Sequence, residues 1–576
     1  MRAFDPEQSR GRLNVVRFGL LAWALVLAGR LVQLQVVRYD RIKAEVDEQN
    51  QNKREIPARR GTIFDRRGRI LARSLPVQSV FLSPSAKDTP DIQKRVVGEL
   101  AGILALSREE RSKIAARIDK GDRFIWIKRK VDEAAARAVA ELRLPGVFMQ
   151  EETTRFYPQG RLAAHVLGFV DIDEKGRSGV ESAFHGELAG RPGRSLILRD
   201  ARRRAYHLEV LERAVPGRDL ELTIDETIQY HARQALARSV ALRGASWGTV
   251  IVAHPGTGEI LALASIPDFD PRQTAHPAEQ ELNRAIAVQF DPGSTFKIVT
   301  AAAALENDVV RANERFDCSR GAVALAGNFV RDHKPLGLLS FADVFSQSSN
   351  VGMIQVGTRL SRDEFYDAVK AFGFGAKTGI ELPGEINGTA HPPSSWAAND
   401  QAYQAIGYGL SVTALQILQA VNAVANDGVL VPPRIVRDAD RPAAAGARAV
   451  LQTPVARRIK ELMRRVVDSG TGHLAAIPGY PVAGKTGTTQ KLDPALRRYT
   501  SLRHVASFAG FIDTRPAAFS VIVVLDDPSG DDYYGGQVAA PVFREIARQV
   551  LRHFRIPPAP VPAPVLTADL AAGGRR

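Results

Sequence analysis

The sequence predicts an α+β fold behind a membrane anchor helix, and three apolar patterns support this prediction. Residues 18–37 (FGLLAWALVLAGRLVQLQVV) form one long apolar run near the N-terminus. The segment WGTVIVAHPGTGEILALAS at 247–265 is typical of a strand, a Pro-Gly turn and a second strand, and FSVIVVLD at 519–526 is a further apolar strand. Helical patterns dominate the stretch 296–440 between them. Strands at both ends of a helical middle indicate one α+β domain over residues 221–555.

The apolar run at 18–37 is predicted to anchor the chain in a membrane. Its uninterrupted part, Phe18 to Gly29, is shorter than the ~20 residues that span a bilayer, and Arg30 could extend it by reaching the headgroups. The alternative is a buried amphipathic helix. No small-residue cleavage site stands out, which favours an uncleaved anchor over a signal peptide. Basic residues lie on both sides of the run, so charge leaves its orientation open.

Charge and cysteine content narrow the classes of partner and site. The 576 residues carry a formal net charge of +15, which fits a nucleic acid, an anionic membrane surface or an anionic cell-wall polymer. No helix-turn-helix, zinc-finger or RNA-recognition signature favours nucleic acid. The single cysteine, Cys318, excludes an intramolecular disulfide and a cysteine-based zinc site. A hydrophobic content of 45% suits ordinary domain cores rather than a polytopic membrane protein.

A serine and a lysine within QFDPGSTFKIVT (289–300) form the first candidate catalytic pair. Pro292-Gly293 predicts a turn, and the Ala-rich stretch that starts at Ser294 predicts a helix. Ser294 and Lys297 would then be neighbours at the helix N-terminus. A buried lysine there could lose its proton and act as a base for the hydroxyl. The alternative is an N-capping serine beside a surface lysine.

Two further motifs follow in a fixed order. Ser348 and Asn350 place a hydroxyl and an amide two residues apart, and a Lys-Thr-Gly triplet then occurs at both 377–379 and 485–487. The first triplet is surrounded by Gly and Pro, which predicts a loop, so we interpret Lys377 as structural. The second precedes two threonines and predicts a strand whose edge could bind an extended peptide. We therefore assign the chemistry to Lys485, with the glycine of its triplet allowing a ligand backbone to approach.

The order S-x-x-K, S-x-N, K-T-G resembles the motif set of penicillin-binding proteins and class A β-lactamases. Longer segments resemble the class B penicillin-binding proteins, which are monofunctional peptidoglycan D,D-transpeptidases. The likeness covers roughly residues 15–555. It includes RGTIFDRRGRILA, RFYPQGRLAAHVLGFV, GRSGVESAFHGELAGRPG, IGYGLSVTALQILQAVNAVANDG and YYGGQVAAPVF. The last two, with RHVASFAGFID, are most similar to the division-specific, FtsI-like branch. His254 departs from the family, which usually has an acidic residue there.

The resemblance implies an elongated α/β pedestal followed by a penicillin-binding/serine β-lactamase-like transpeptidase domain. That domain has an antiparallel sheet flanked by helices and an all-helical subdomain. The expected organisation is a short cytoplasmic segment (1–17), a transmembrane anchor (18–37), a dimerisation or pedestal domain (38–220), the transpeptidase domain (221–555) and a disordered Pro/Ala-rich tail (556–576). The protein would cross the cell (inner) membrane once, with its catalytic domain on the periplasmic or extracytoplasmic side.

The resemblance also implies a role for each motif residue. Ser294 is the nucleophile toward the D-Ala-D-Ala end of a peptidoglycan stem peptide, and Lys297 is its general base. Ser348 and Lys485 relay a proton, and Lys485 also provides a positive field for the terminal carboxylate. Backbone N–H groups of Ser294 and Thr488 form the oxyanion hole. The substrate-binding residues are Asn350, Thr486, Gly487 and Thr488. No metal or organic cofactor is expected, and a β-lactam antibiotic would acylate the same serine.

The implied partners are a SEDS-family membrane glycosyltransferase and other division proteins. The RGTIFDRRGRILA segment would either contact that enzyme or simply fold a packed, salt-bridged linker. The residues concerned are Arg60, Gly61, Asp65, Arg66 and Gly68. Other functions stay open: an inert division scaffold, a membrane β-lactam sensor, an elongation-type transpeptidase or a D,D-carboxypeptidase. The intact motif set argues against the scaffold. One short anchor with ~17 preceding residues argues against the sensor.

Overall fold

The computed structural model describes residues 6–39, 51–84, 88–199, 205–273, 275–311, 313–325, 328–438, 444–493, 498–514, 518–530 and 532–558. The tail predicted to be disordered lies outside these residues from position 559 onward, as do the first five residues of the predicted cytoplasmic segment. The chain forms two compact units. One comprises Met1–Arg60 and Ala189–Gly217, and the other comprises Gly61–Leu188 and Arg218–Arg576.

Strands and helices alternate along the chain. The strands are β1 (Gln51–Ile56), β2 (Ile63–Phe64), β3 (Ile70–Leu82), β4 (Ile125–Val131), β5 (Val147–Phe156), β6 (Gly193–Arg199), β7 (Ala205–Glu212), β8 (Leu220–Glu221), β9 (Trp247–Ala253), β10 (Ile260–Ile266), β11 (Arg315–Cys318), β12 (Ala322–Leu325), β13 (Asn328–Arg331), β14 (Gly337–Ser340), β15 (Val429–Leu430), β16 (Arg448–Ala449), β17 (Val482–Asp493), β18 (Arg498–Ile512) and β19 (Ser520–Asp526).

The α-helices also follow chain order. They are α1 (Pro6–Val32), α2 (Pro90–Ile103), α3 (Arg108–Asp119), α4 (Glu133–Leu142), α5 (Ala164–Leu167), α6 (Gly179–Ala183), α7 (His185–Leu188), α8 (Glu226–Arg243), α9 (Ala278–Glu281), α10 (Arg284–Ala287), α11 (Lys297–Glu306), α12 (Phe341–Ser346), α13 (Asn350–Gly357), α14 (Arg362–Ala371), α15 (Asp400–Gln404), α16 (Ala414–Ala425), α17 (Thr453–Asp468), α18 (Gly535–Val538) and α19 (Ala540–His553).

The first unit contains the N-terminal helix and a small sheet. Helix α1 passes into a π-helical turn at Gln33–Val37. Arg30 belongs to the last turn of α1, and its Nη1 donates to Gln33 Oε1 at 2.7 Å. Among the described residues, Asn14–Val37 is the one helix long and apolar enough to cross a membrane, with a mean hydropathy of 1.8. Its side chains are exposed, which favours the anchor over the buried amphipathic helix. Strands β1, β6 and β7 form an antiparallel sheet in that order.

The second unit begins with a sheet in the order β4-β3-β2-β8, with β5 also paired to β3. The apolar stretches VQSVFL and IWIKRKV lie in β3 and β4. One face of these strands, including Val80 and Ile125, packs on helices α2, α3 and α4. Helix α3 starts at a capping box in which Ser107 and Glu110 satisfy each other's backbone N–H groups.

The RGTIFDRRGRILA segment packs within the second unit. Asp65 Oδ1 accepts two backbone N–H groups of the turn that follows, at 2.8 and 2.9 Å. A Cβ atom on Gly61 would lie 2.0 Å from the carbonyl oxygen of Arg218, so only glycine fits there. Arg66 Nη2 lies 3.4 Å from Glu259 Oε2 in the turn between β9 and β10. These contacts agree with the alternative in which the segment folds as a packed, salt-bridged linker.

A buried ion pair joins β5 to α6. Arg155 Nε lies 2.6 Å from Glu181 Oε1, and the two side chains are 1% and 0% exposed. Arg155 Nη1 also donates to the Gly61 carbonyl oxygen at 2.8 Å. Removal of the guanidinium would take from Glu181 its buried, oppositely charged partner.

We expect Arg155→Leu to destabilise the protein by about 3–5 kcal/mol, because the buried carboxylate of Glu181 would lose the guanidinium that lies 2.6 Å away. The measurement is the thermal unfolding midpoint of the full chain in detergent. Arg137→Leu is the matched control, since Arg137 pairs with Glu133 on an exposed helix surface, where an ion pair contributes little. Similar shifts for the two variants would contradict the role of the buried pair.

The five-stranded sheet of the second unit is antiparallel in the order β10-β9-β19-β18-β17. The hairpin predicted at 247–265 is confirmed as β9 and β10, and the strand predicted at 519–526 is the central β19. Val521 and Val523 face a core shared with α8 and α19, whereas Ile522 and Val524 face the core that contains α16. Because both faces are covered, β19 is an unbroken apolar run rather than an alternating one.

Helices α11 to α16 lie in the stretch 296–440 that was predicted to be mainly helical, but they cover well under half of it, and the rest is turns, loops and short strands. Two small hairpins, β11 with β14 and β12 with β13, interrupt it. Sequence periodicity did not predict them, because four-residue strands are too short to display a clear pattern. The β12–β13 hairpin precedes the loop that carries Ser348 and Asn350.

Candidate active site

Ser294 lies in the 3₁₀ turn that leads into α11, so the α-helix starts three residues later than the sequence predicted. Gly293–Phe296 is a 3₁₀ turn, and α11 begins at Lys297, so the two residues lie within one turn of each other. Gly293 has a φ of 53° and its N–H donates to the Gly407 carbonyl oxygen at 3.0 Å. Ser294 is partly exposed, whereas Lys297 is completely buried. The structure thus gives the spatial arrangement that the S-x-x-K spacing predicts.

Lys297 is hydrogen-bonded to the loop that carries the second motif. Its Nζ donates to the Ser348 carbonyl oxygen and to Asn350 Oδ1, both at 2.7 Å, and lies 3.3 Å from Ser348 Oγ. Burial lowers the pKa of Lys297 to about 7, and the negative charge of Asp332 opposes that change. A large fraction of the amine is therefore neutral near pH 7 and free to accept a proton.

Ser348 links Lys297 to the third motif. Lys485 Nζ donates to Ser348 Oγ at 2.9 Å, so hydrogen-bonding distances run from one lysine through the hydroxyl to the other. Burial and the charge of Lys297 both lower the pKa of Lys485. Ser348 has a φ of 59°, a conformation that is uncommon outside glycine and that clusters at functional sites.

Asp332 holds this loop in place, although no sequence motif marks it. Its Oδ1 accepts the backbone N–H groups of Asn350 at 2.5 Å and Val351 at 3.2 Å, at the N-terminus of α13. Its Oδ2 accepts the Ser349 hydroxyl at 2.7 Å. The carboxylate thus fixes the backbone on which Ser348 and Asn350 stand. It lies 16 residues before Ser348 in the sequence, and only the fold brings the two together.

The second Lys-Thr-Gly triplet lies on β17, which is the edge strand of the five-stranded sheet, as predicted. Thr486 Oγ1 lies 2.8 Å from Thr471 Oγ1, a partner that the sequence did not predict. Thr488 Oγ1 accepts the Gly535 N–H at 2.9 Å. Among the described residues, β17 pairs with a strand on one side only, and such an edge is suited to binding an extended ligand.

Glycine at 487 is required by the protein's own packing. A Cβ atom there would lie 2.4 Å from Ser507 Oγ and 2.9 Å from Thr295 Cγ2. The prediction that this glycine admits a ligand backbone stays a prediction, and the structure adds a close approach of the nucleophile turn and the neighbouring strand β18. The absence of a side chain lets β17 lie directly against the turn that carries Ser294.

The other triplet, at Lys377, lies in a loop, as predicted. Thr378 donates its N–H to Glu385 Oε1 at 2.7 Å and its hydroxyl to the same atom at 2.5 Å. These bonds close the loop on itself, which agrees with a structural role.

A cleft of about 980 Å³ is lined by Asn350 of the second motif and by Thr488, the residue that follows the third motif, whereas Ser294, Lys297, Ser348 and Lys485 are not part of its lining. The lining residues are Phe329, Val330, Arg331, Asn350, Asp400, Tyr403, Gln404, Ile406, Tyr408, Gly409, Thr488, Gln490, Arg498, Tyr499, His504, Tyr533 and Tyr534. Within the described ranges, no three His, Cys, Asp or Glu side chains are placed to hold a metal ion. The arrangement is suited to nucleophilic acyl transfer by a serine with lysine bases.

The fold and this arrangement define a penicillin-binding serine acyltransferase. Residues 248–548 match the family model described as the penicillin-binding protein transpeptidase domain, and residues 55–222 match that of the penicillin-binding protein dimerisation domain. The chain therefore belongs to the class B penicillin-binding proteins, the peptidoglycan D,D-transpeptidases. The family resemblance carried by the sequence motifs is confirmed.

Curated relatives and solved structures agree with this assignment. The chain is 34% identical to the probable peptidoglycan D,D-transpeptidase PenA of Neisseria gonorrhoeae, over 94% of this chain and 92% of the relative. It is 33% identical to peptidoglycan D,D-transpeptidase FtsI of Escherichia coli, over 96% and 95%. It is also similar to penicillin-binding protein 3 from Mycobacterium tuberculosis, solved with aztreonam, with a TM-score of 0.68, 29% identity and coverage of 88% of this chain and 98% of that one.

Proposed function

We propose that this protein cross-links peptidoglycan stem peptides during septal wall synthesis through an acyl-enzyme on Ser294. The observation that carries the proposal is the hydrogen-bonded series Lys297–Ser348–Lys485 on the helix and strand that flank the nucleophile turn. The septal role is supported by the segments similar to the division-specific branch and by the near full-length match to FtsI.

In the first half-reaction, Ser294 Oγ attacks the carbonyl carbon of the penultimate D-Ala, and neutral Lys297 accepts the hydroxyl proton. The resulting oxyanion is bound by the backbone N–H groups of Ser294 and Thr488, each worth about 3 kcal/mol to such a transition state. The C–N bond to the terminal D-Ala then breaks. Its nitrogen receives a proton through Ser348, with Lys485 as the next group in the relay.

In the second half-reaction, an amine of a neighbouring stem attacks the ester carbonyl. The amine loses its proton to the lysine–serine relay, the new amide bond forms and Ser294 leaves as a hydroxyl. Asn350 would hold the substrate amide, and Thr486 and Thr488 would bind the terminal carboxylate within the positive field of Lys485. Gly487 keeps the edge strand close enough to the nucleophile for both steps.

The catalytic domain would work on the extracytoplasmic side of the cell membrane, where its substrate lies, with Asn14–Val37 as the single anchor. A SEDS-family glycosyltransferase is the proposed source of the glycan strands to be cross-linked. The internal packing of Asp65 and Arg66 favours a structural role for these residues over direct contact with that partner.

The test is a turnover assay of the full chain in detergent, with a stem-peptide thioester as donor and a D-amino acid as acceptor. Mass spectrometry separates the aminolysis product from the hydrolysis product. Predominant aminolysis is expected. Hydrolysis alone would favour a D,D-carboxypeptidase, and no turnover by folded protein would favour the inert scaffold.

A further inference from the structure

The cleft lined by Asn350 and Thr488 carries unequal numbers of positive and negative side chains. Its lining carries two arginines, Arg331 and Arg498, and one carboxylate, Asp400. Asp400 Oδ2 already accepts the Ala397 N–H at 2.9 Å. Burial lowers the pKa of His504, so this lining imidazole is neutral at pH 7. The cleft wall therefore carries net positive charge where a substrate peptide would lie.

Arg331 is held beside the second motif. It ends β13, and its carbonyl oxygen accepts the Nδ2–H of Asn350 at 2.9 Å, so its backbone is tied to a predicted substrate-binding residue. Its guanidinium carbon lies 5.6 Å from the ring centroid of Phe329 on the same hairpin. The side chain is exposed, and no carboxylate of the described residues pairs with it. A guanidinium fixed by its backbone and aromatic neighbour is well prepared to bind a carboxylate.

Arg498 enters the cleft from a different hairpin, that of β17 and β18. The next residue, Tyr499, donates its hydroxyl to Asp291 Oδ2 at 2.5 Å, three residues before the nucleophile. Its ring also meets Tyr408 edge-on, with centroids 5.1 Å apart. These contacts hold the hairpin over the cleft. The Arg498 side chain is exposed and has no acidic partner in the portion of the chain that the structure describes.

We propose that Arg331 and Arg498 select an acidic stem peptide by pairing with its side-chain carboxylates, upstream of the D-Ala-D-Ala end. This inference rests on the proposed function. An Arg–carboxylate pair is directional and charge-assisted, whereas an amidated stem would give each guanidinium only a neutral partner. The two arginines thus make the cleft specific for the charge of the stem as well as for its end.

The experiment compares two stem-peptide thioesters that differ only in whether their side-chain carboxyl groups are free or amidated. Release of the thiol by the wild-type full chain reports on the donor, and we expect kcat/KM to favour the acidic peptide by about tenfold at low salt. Arg331→Gln and Arg498→Gln should each reduce this ratio by about threefold to fivefold. Arg320→Gln, an exposed arginine outside the cleft lining, is the matched control and should leave the ratio unchanged.

A second arm distinguishes donor from acceptor. Acidic and amidated acceptor peptides are offered to the same acyl-enzyme, and the yield of cross-linked product is compared. Selection in thiol release places the carboxylate on the donor, as proposed, whereas selection only in cross-link yield would place it on the acceptor and overturn the inference. Ratios near one in both arms, or variants that slow acidic and amidated peptides equally, would overturn the inference.

Acylation of the wild-type chain by benzylpenicillin distinguishes failure of the arginine selectivity from failure of the proposed function. That reaction requires the nucleophile but presents no stem peptide. Acylation with ratios near one would overturn only the arginine selectivity, whereas loss of acylation and turnover by folded protein would overturn the proposed function.

Discussion

Replacement of Ser294 by alanine is expected to abolish covalent labelling by benzylpenicillin. The Oγ atom of Ser294 is the only proposed electron-pair donor to the β-lactam carbonyl, and no neighbouring group replaces it in the proposed mechanism. Intact-mass analysis of the full chain should find one penicillin mass added to the wild type and none to the variant. Peptide mapping should place the adduct on the segment that contains Ser294.

Ser394→Ala serves as the control, because Ser394 is exposed on a 3₁₀ turn outside the cleft lining. It should be labelled like the wild type. An adduct that persists on Ser294→Ala, or that maps to another residue, would show that the nucleophile is wrong. No adduct on folded wild-type protein would move the function to the inert scaffold.

Replacement of Lys297 by methionine should reduce the rate constant for acylation by about 10²–10⁴-fold, the usual contribution of a general base. Methionine fills a similar volume without a charge to desolvate, so the variant should remain folded. Stopped-flow acylation with a fluorescent penicillin measures the effect. The thermal unfolding midpoint of the same sample reports on the fold.

The acylation rate should also depend on pH, and the pKa of Lys297 determines the sign of that dependence. Because burial lowers the pKa of Lys297 to about 7, the neutral base is scarce at pH 5.5 and dominant at pH 8.5. The wild-type acylation rate should therefore rise with pH through about 7, and the methionine variant should lack that rise.

The control for this prediction is Lys334→Met, an exposed lysine in the loop after β13. It should keep both the rate and the pH profile. A Lys297→Met variant with a wild-type rate, or a wild-type profile that is flat between pH 5.5 and 8.5, would remove Lys297 from the role of base.

The sequence alone was sufficient to predict the site residues that belong to short motifs. Ser294 and Lys297 lie three residues apart, so the geometry of one turn determines their proximity. The residues around the two Lys-Thr-Gly triplets distinguished Lys485 from Lys377. An apolar run and two threonines favour a strand at Lys485, whereas glycines and a proline favour a loop at Lys377. Lys485 contacts Ser348, which lies 137 residues away in the sequence. That contact could be predicted only from the order of the motifs and not from the residues around either one.

Asp332 and Thr471 could not be found in this way. Each acts through one or two hydrogen bonds to a motif residue, and neither has a distinctive neighbour in the sequence. The orientation of Asp332 toward α13 depends on the β12–β13 hairpin, whose strands are too short to predict. Gly487 was predicted to admit a ligand backbone, and that stays a prediction; the sequence did not predict the crowding of this glycine by strand β18 and the nucleophile turn.

The open edge of β17 has a consequence for the diversity of cell walls. In the proposed mechanism a stem peptide pairs with this strand through its amide groups, which are the same in every peptide, so the strand would not distinguish the side chain at the middle of the stem. Discrimination then falls to the surrounding hairpins, which evolve more freely than a sheet buried on both faces. A lineage could change its cross-bridge chemistry by altering a few rim residues while the catalytic strand stays untouched.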